Sequence, residues 1–214
     1  MRTVFHGDLA RLGNELAKMC LRSGEAMRQA TQALLTADLS LAERVLQGDA
    51  EVDAQRTLCE ERAYTLLALQ APVAGDLRTV LAAVYCAEKI ERMGDLAAHI
   101  ADTARFTHPD HAVPTELEGQ FTELGEISAS MADRLSELIA VPAEGAFAEL
   151  KHTDHTVNDL HAHVLSLITS TTWSHGPGMA SNLALLARFY ERFGDQAVSA
   201  AKRLDFAVTG TLPS

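Results

Sequence analysis

Two stretches of this 214-residue chain carry the same chemistry a hundred positions apart: Glu91-Arg92-Met93-Gly94-Asp95-Leu96-Ala97 and Glu191-Arg192-Phe193-Gly194-Asp195-Gln196-Ala197. Residues four apart on a helix differ by only about 40° around its axis, so each stretch presents two carboxylates on one side. Glu91 also falls seven residues after Val84, on the apolar stripe Val80, Val84 and Ala87, where a purely solvated face has no reason to be. Two like charges at this spacing repel, and partial burial adds a desolvation cost that a proton, an arginine or an oxygen-liganded metal must offset. Arg92 and Arg192 are the ordinary way to meet that cost. The duplication, and a further acidic pair at the same spacing, Asp49 and Asp53, argue for the metal.

The repetition extends upstream. Asp49-Ala-Glu-Val52-Asp53 lines up with Asp154-His-Thr-Val157-Asn158, and Ala101 and Phe106 with Ala201 and Phe206. A repeat of this kind means one structural unit used twice. His99 continues the Glu91, Asp95 row by four residues and is a secondary candidate ligand; Ser199 stands in its place in the second copy. The row His155, Asp159, His163 has a spacing that suits zinc or copper, but its polar neighbours fit an ordinary wet surface.

Six helices are predicted to position these groups. Leu9, Leu12, Leu16, Met19, Met27, Ala30 and Leu34 mark an amphipathic helix from about residue 6 to 37, followed by Asp38 as an N-cap. Val45, Val52, Cys59 and Leu66 recur at sevens in a second helix, which Pro72 must end. A third runs from about 74 to 107, and the Pro109- and Pro114-containing run after it divides the chain into halves 1–108 and 109–214. Leu117, Phe121, Leu124, Ser128, Met131, Leu135 and Leu138 define a fourth helix stopped at Pro142; Leu150 to Leu167 define a fifth, and 179–208 a sixth. No window alternates like a strand. The expectation is an all-α protein of two tandem three-helix bundles.

Composition narrows the function. Eleven net negative charges disfavour a grip on nucleic acid or on an anionic bilayer, and argue against a direct phosphate site. Cys20, Cys59 and Cys86 stand alone among apolar residues, as reduced core thiols would. Arg2, His6, Asp8 and Arg11 break up the start, so no signal peptide is expected, and the longest apolar runs are far short of the ~20 residues of a membrane span.

The duplicated Glu-Arg-x-Gly-Asp, the upstream Asp-x-x-x-Asp and the segment Gln70-Ala-Pro-Val-Ala-Gly-Asp76-Leu-Arg78 together resemble the PhoU family, most closely its actinobacterial members, with their Phe-x-x-Thr-Gly ending like Phe206 to Gly210. The resemblance covers essentially the whole chain. It implies a cytoplasmic, non-enzymatic regulator, peripheral to the inner face of the membrane through protein partners. That regulator restrains a Pst-type phosphate transporter, through its nucleotide-binding subunit, and the sensor histidine kinase of the phosphate response. It implies multinuclear iron or zinc clusters, held by Asp49, Asp53, Glu91 and Asp95 in the first half and by Asp154, Glu191 and Asp195 in the second. Asn158 stands where the second motif wants an aspartate, and Arg188 faces Glu88 in the repeat alignment, so asymmetric occupancy is expected. Asp76 and Arg78 fit structure or partner contact equally, and a homodimer stays open. The competing expectation is a carboxylate-bridged di-iron enzyme, for which only Glu149-Leu-Lys-His152 has the right form.

Overall fold

The computed structural model describes residues 2–213. Six helices follow in order: α1 (Arg2–Thr36), α2 (Leu39–Gln70), α3 (Ala74–Thr107), α4 (Glu118–Ala140), α5 (Ala146–Ile168) and α6 (Gly176–Thr209), with a single 3₁₀ turn, Thr115–Leu117, before α4. The described residues contain no strand. The predicted elements are all present, and their ends have local causes.

Asp38 caps α2 as its type and position suggest, its Oδ1 accepting the Leu41 N–H at 2.9 Å. α1 ends in Ala37 at a left-handed φ of 50°, and two linker histidines close its open end: His108 Nδ1 lies 3.0 Å from the Ala37 carbonyl and His111 Nδ1 3.1 Å from that of Leu35. α2 stops before Pro72 with Ala71 left-handed at φ 44°. α6 starts three residues earlier than the apolar pattern indicates, at Gly176, because Pro177 in the first turn loses only an N–H that had no intrahelical partner. α1 likewise reaches back beyond His6, drawn by Phe5, which is buried.

α5 is started differently. Its N-cap residue, Gly145, has no side chain to offer. Asp205, near the end of α6 and only 5% exposed, supplies the cap in trans, accepting the Ala146 N–H at 3.0 Å and the Phe147 N–H at 3.1 Å. This buried carboxylate therefore fixes where α5 begins and pins it to α6.

The two halves are fused side by side into one continuous core. α1 packs antiparallel on α4 and α3 antiparallel on α6, with α2 and α5 on the outer flanks. Close approach at the α1/α4 seam depends on Gly125: a Cβ there would sit between 2.5 and 2.9 Å from Thr31 side-chain atoms. Thr31 is thereby brought into hydrogen bonding with the buried Tyr190 hydroxyl at 3.0 Å. Ser136 reinforces the seam by donating to the Ala17 carbonyl. At the other seam the Cys86 thiol lies 3.7 Å from the Ala200 carbonyl, and the His99 ring stacks on Phe189. All three cysteines are free and buried, and burial pushes the Cys59 thiol up to about 11 and that of Cys86 to about 12. They are core residues and not reactive ones.

The segment 70–78 turns out to be a joint. Asp76 lies 3.8 Å from His6 Nε2, and the Arg78 guanidinium packs over Gly210 at the end of α6, 3.4–3.6 Å from where a Cβ would stand. These contacts tie the start of α3 to α1 and to the last turn of α6.

Candidate functional site

Because α2 lies along α3, the acids of the two helices converge. One carboxylate oxygen each from Asp53, Glu91 and Asp95 lies within 4.8 Å of the others. Asp49, one turn before Asp53, flanks this trio: a Cβ on Gly94 would be 3.6 Å from its Oδ1. The repulsion anticipated from the spacing is visible in the acidities. Desolvation first, then Asp95, pushes the Glu91 carboxyl up to about 6. Asp49 is raised by desolvation and then by Asp95 and Asp53, and Asp95 by desolvation and then Asp53. The arginines do little to relieve this. Arg56, a neighbour the sequence reading did not single out, has its Nε 3.8 Å from Glu91 while its Nη1 is engaged by Glu60 at 2.9 Å. Arg92 reaches Asp95 only at 4.0 Å, too far for a hydrogen bond. Three convergent hard oxygens with incomplete cationic compensation fit a divalent or trivalent cation. Asp53, Glu91 and Asp95 are the residues that would hold it, with Asp49 beside them.

His99 is placed elsewhere. Its exposed ring stacks on Phe189, centroids 5.2 Å apart and planes 21° apart, and lies outside the close trio, contributing only a nearby charge that favours ionised Asp49 and Asp95.

The second cluster uses the same helix geometry with different partners. Asp154 and Glu191 are buried, at 6% and 9% exposure, and Asp195 is exposed. Asn158 donates its amide to Asp154 Oδ2 at 2.9 Å, and Arg188 donates to Glu191 Oε1. The other oxygen of each acid, Asp154 Oδ1 and Glu191 Oε2, is buried without a partner. Desolvation, then Asp195, raises the Asp154 carboxyl to about 6; Glu191 is raised by the same two causes, while Arg188 and His161 oppose. Asp159, one residue from Asn158, is exposed and does not replace the missing ligand. This site keeps two free oxygens for a cation but has donors of its own where the first half has carboxylates. The glycines follow suit: a Cβ on Gly194 would overlap Asp154 Oδ1, whereas one on Gly94 would make an ordinary 3.4 Å contact with Val52.

The di-iron alternative fails on geometry. Glu149 points outward, accepting from Arg134 at 2.5 and 3.1 Å, and His152 is exposed. Neither faces the bundle interior, which such a centre requires. The row His155, Asp159, His163 is exposed along its length, as expected of a wet surface.

A duplicated bundle with one carboxylate cluster per repeat, flanking the α3/α6 seam, defines a class of protein. The PhoU domain model matches residues 16–104 and 121–204, once on each half. The chain is 42% identical over 213 residues to the phosphate-specific transport system accessory protein PhoU homolog 1 of Mycobacterium leprae, covering 100% of this chain and 96% of that one. It is equally similar to PhoU homolog 2 of Mycobacterium tuberculosis, with full coverage of both. Among solved structures, the phosphate transport system regulatory protein PhoU of Streptococcus pneumoniae superposes with a TM-score of 0.87 at 22% identity, covering 98% of this chain and 99% of the other. PhoU from Pseudomonas aeruginosa gives 0.83 at 21%, covering 97% and 100%. The chain belongs to the PhoU domain family, whose members are regulatory accessory proteins and not enzymes.

Proposed function

We propose that the protein restrains phosphate uptake and the phosphate-starvation response, acting as an adaptor between a Pst-type transporter's nucleotide-binding subunit and a sensor histidine kinase. The observation that carries the regulatory reading is end-to-end likeness, at 42% identity, to accessory proteins of the phosphate-specific transport system. No helix among the described residues is long and apolar enough to cross a membrane; in this reading contact with the transporter runs through protein surfaces on its cytoplasmic side. Regulation then requires that docking differ between transporter states, since a partner that binds all states equally shifts none of them.

The first carboxylate cluster supports a metal-dependent form of this role. Iron or zinc bound by Asp53, Glu91 and Asp95, with Asp49 beside them, would cancel the repulsion between α2 and α3 and lock that face into one shape for docking. The second cluster, with Asp154, Glu191 and Asp195, takes fewer ions or none.

Deleting the gene is expected to raise phosphate uptake in phosphate-replete cells, and unchanged uptake counts against the regulator. Complementation with Asp95→Ala/Asp195→Ala separates the two parts of the proposal. If the double variant restores normal uptake, metal is not part of the mechanism and the adaptor role stands alone.

A further inference from the structure

On this strongly acidic chain, three of the four lysines gather with one arginine around two aromatic rings. Tyr85 of α3 lies between Lys89, whose Nζ is 4.9 Å from the ring centroid, and Arg203 of α6, whose guanidinium carbon is 4.4 Å away. Phe147 of α5 lies between Lys151 at 5.0 Å and Lys202 of α6 at 5.3 Å. Lys202 reaches toward α5 and Arg203 toward α3, so the four cations form a band across three helices. Lys202 is seven residues, two turns, beyond Asp195, and Phe147 seven before Asp154, which puts the α5/α6 end of the band on the same side of those helices as the second carboxylate cluster.

These cations are not spent on the protein's own acids. Among the described residues, Lys151, Lys202 and Arg203 have no carboxylate within 4.0 Å, and Lys89 has only Glu88 at 3.4 Å. The rings hold them in place instead, and half-buried Lys202 and Arg203 keep little of their hydration. Nor does the repeat unit require the band. The offset of one hundred that matches Glu91 to Glu191 puts Asp102 and Thr103 where α6 has Lys202 and Arg203. A cationic, aromatic strip that crosses from α3 of the first half to α5 and α6 of the second, on a chain whose net charge is strongly negative, is complementary to one kind of partner.

We propose that the Tyr85, Lys89, Phe147, Lys151, Lys202, Arg203 strip is a docking surface for an acidic segment of a partner protein. Its carboxylates would pair with the four cations while its apolar side chains lie on the two rings. A flat anionic bilayer fits less well. The second carboxylate cluster adjoins the band on α5 and α6, and the rings and the α6 cations are half-buried, within reach of a narrow segment but not of a plane.

The test uses the full-length protein and a fluorescein-labelled sixteen-residue peptide of Asp, Glu and Leu, followed by anisotropy at low and high salt, with phosphatidylglycerol vesicles in parallel. The expected result is saturable peptide binding that weakens by about tenfold in Lys151→Glu/Lys202→Glu/Arg203→Glu. Exposed Lys151→Glu alone should weaken it by about threefold, a readout that survives if the triple variant misfolds. Arg105→Glu, at the opposite end of α3, should leave it unchanged. Absence of peptide binding, or binding indifferent to Lys151→Glu, overturns the proposal. Vesicle binding that depends on Lys151 without peptide binding overturns it in favour of a lipid surface. None of these outcomes depends on the role in phosphate regulation.

Discussion

The two carboxylate clusters are built on one helical frame and resolve the same electrostatic problem in opposite ways. In the first half Asp53, Glu91 and Asp95 converge with distant arginines; in the second, Asn158 and Arg188 occupy one oxygen each of Asp154 and Glu191. The first stays an open, charge-rich site for a cation from solution. The second has internal donors in part of that role and buries what is left. Duplication thus preserved where the side chains emerge while the means of neutralising them diverged, and the second half's departures, Asn158 and Arg188, are the residues that make the difference.

The largest expected effect follows from this contrast. Glu91→Gln/Asp95→Asn should lower affinity for iron or zinc by on the order of 100-fold, about 2.7 kcal/mol, in metal titration of the purified protein. Glu191→Gln/Asp195→Asn should change it little. The reverse construction, Asn158→Asp with Arg188→Glu, restores the first-half pattern and should add a second binding event of comparable strength. Equal losses from both carboxylate pairs would break the comparison and make the clusters equivalent.

Helix starts differ between the halves in the same spirit, and the effect should be next in size. Asp205 accepts two backbone N–H groups while buried, so Asp205→Ala leaves α5 uncapped and is expected to cost about 2 kcal/mol. Asp38→Ala removes one local cap bond from a more accessible helix end and should cost about 1 kcal/mol. Urea unfolding of the two variants measures both. A larger loss for Asp38 would mean that tethering α5 to α6 adds nothing to stability.

The glycines of the duplicated motif, which read as equivalent, should separate by about 1 kcal/mol. Alanine is favoured over glycine in a helix interior by roughly that amount. At Gly94 the added methyl group meets Val52 at an ordinary distance, so Gly94→Ala should hold or raise the thermal midpoint. At Gly194 it meets Asp154 Oδ1, and displacing a buried carboxylate cancels the gain, so Gly194→Ala should lower the midpoint.

What could be read in advance tracks how local the physics is. The six helices, the Asp38 cap and the Pro72 and Pro142 breaks depend on neighbours along the chain, and the sequence pattern located all of them. The pairing of Glu91 with Asp95 was legible because four residues bring them round to one side; their meeting with Asp53, on another helix, was expected only from the resemblance to the PhoU family. The Asp205 cap was not legible: it bridges two helices, and its counterpart by the repeat offset is Arg105. His99 followed the correct row and still missed the trio, because Phe189 on another helix offered its ring a stack. The cation–aromatic strip lies between. Tyr85 with Lys89 and Phe147 with Lys151 share the four-residue spacing that sequence displays, but Lys202 and Arg203 join them only once α6 is packed against α3 and α5.

The smallest effect sharpens the comparison through pH. Glu91 is raised from 4.5 to about 6 and Asp154 from 3.8 to about 6, in both cases chiefly by desolvation. A carboxyl with a folded pKa above its unfolded one binds its proton more tightly when folded, so it favours the fold below the unfolded value and loses that contribution as pH rises through the folded value. Metal-free protein should therefore lose stability from these groups between about pH 4 and 6, and Glu91→Gln and Asp154→Asn should each flatten the fall in thermal midpoint across that window. Metal reverses the sign only where it binds, because a cation competes with the proton and holds the ionised form. With saturating zinc, the wild-type midpoint should rise with pH over the same interval. Asp154→Asn should keep that rise and Glu91→Gln should lose it; a rise abolished by Asp154→Asn would place the ion in the second half.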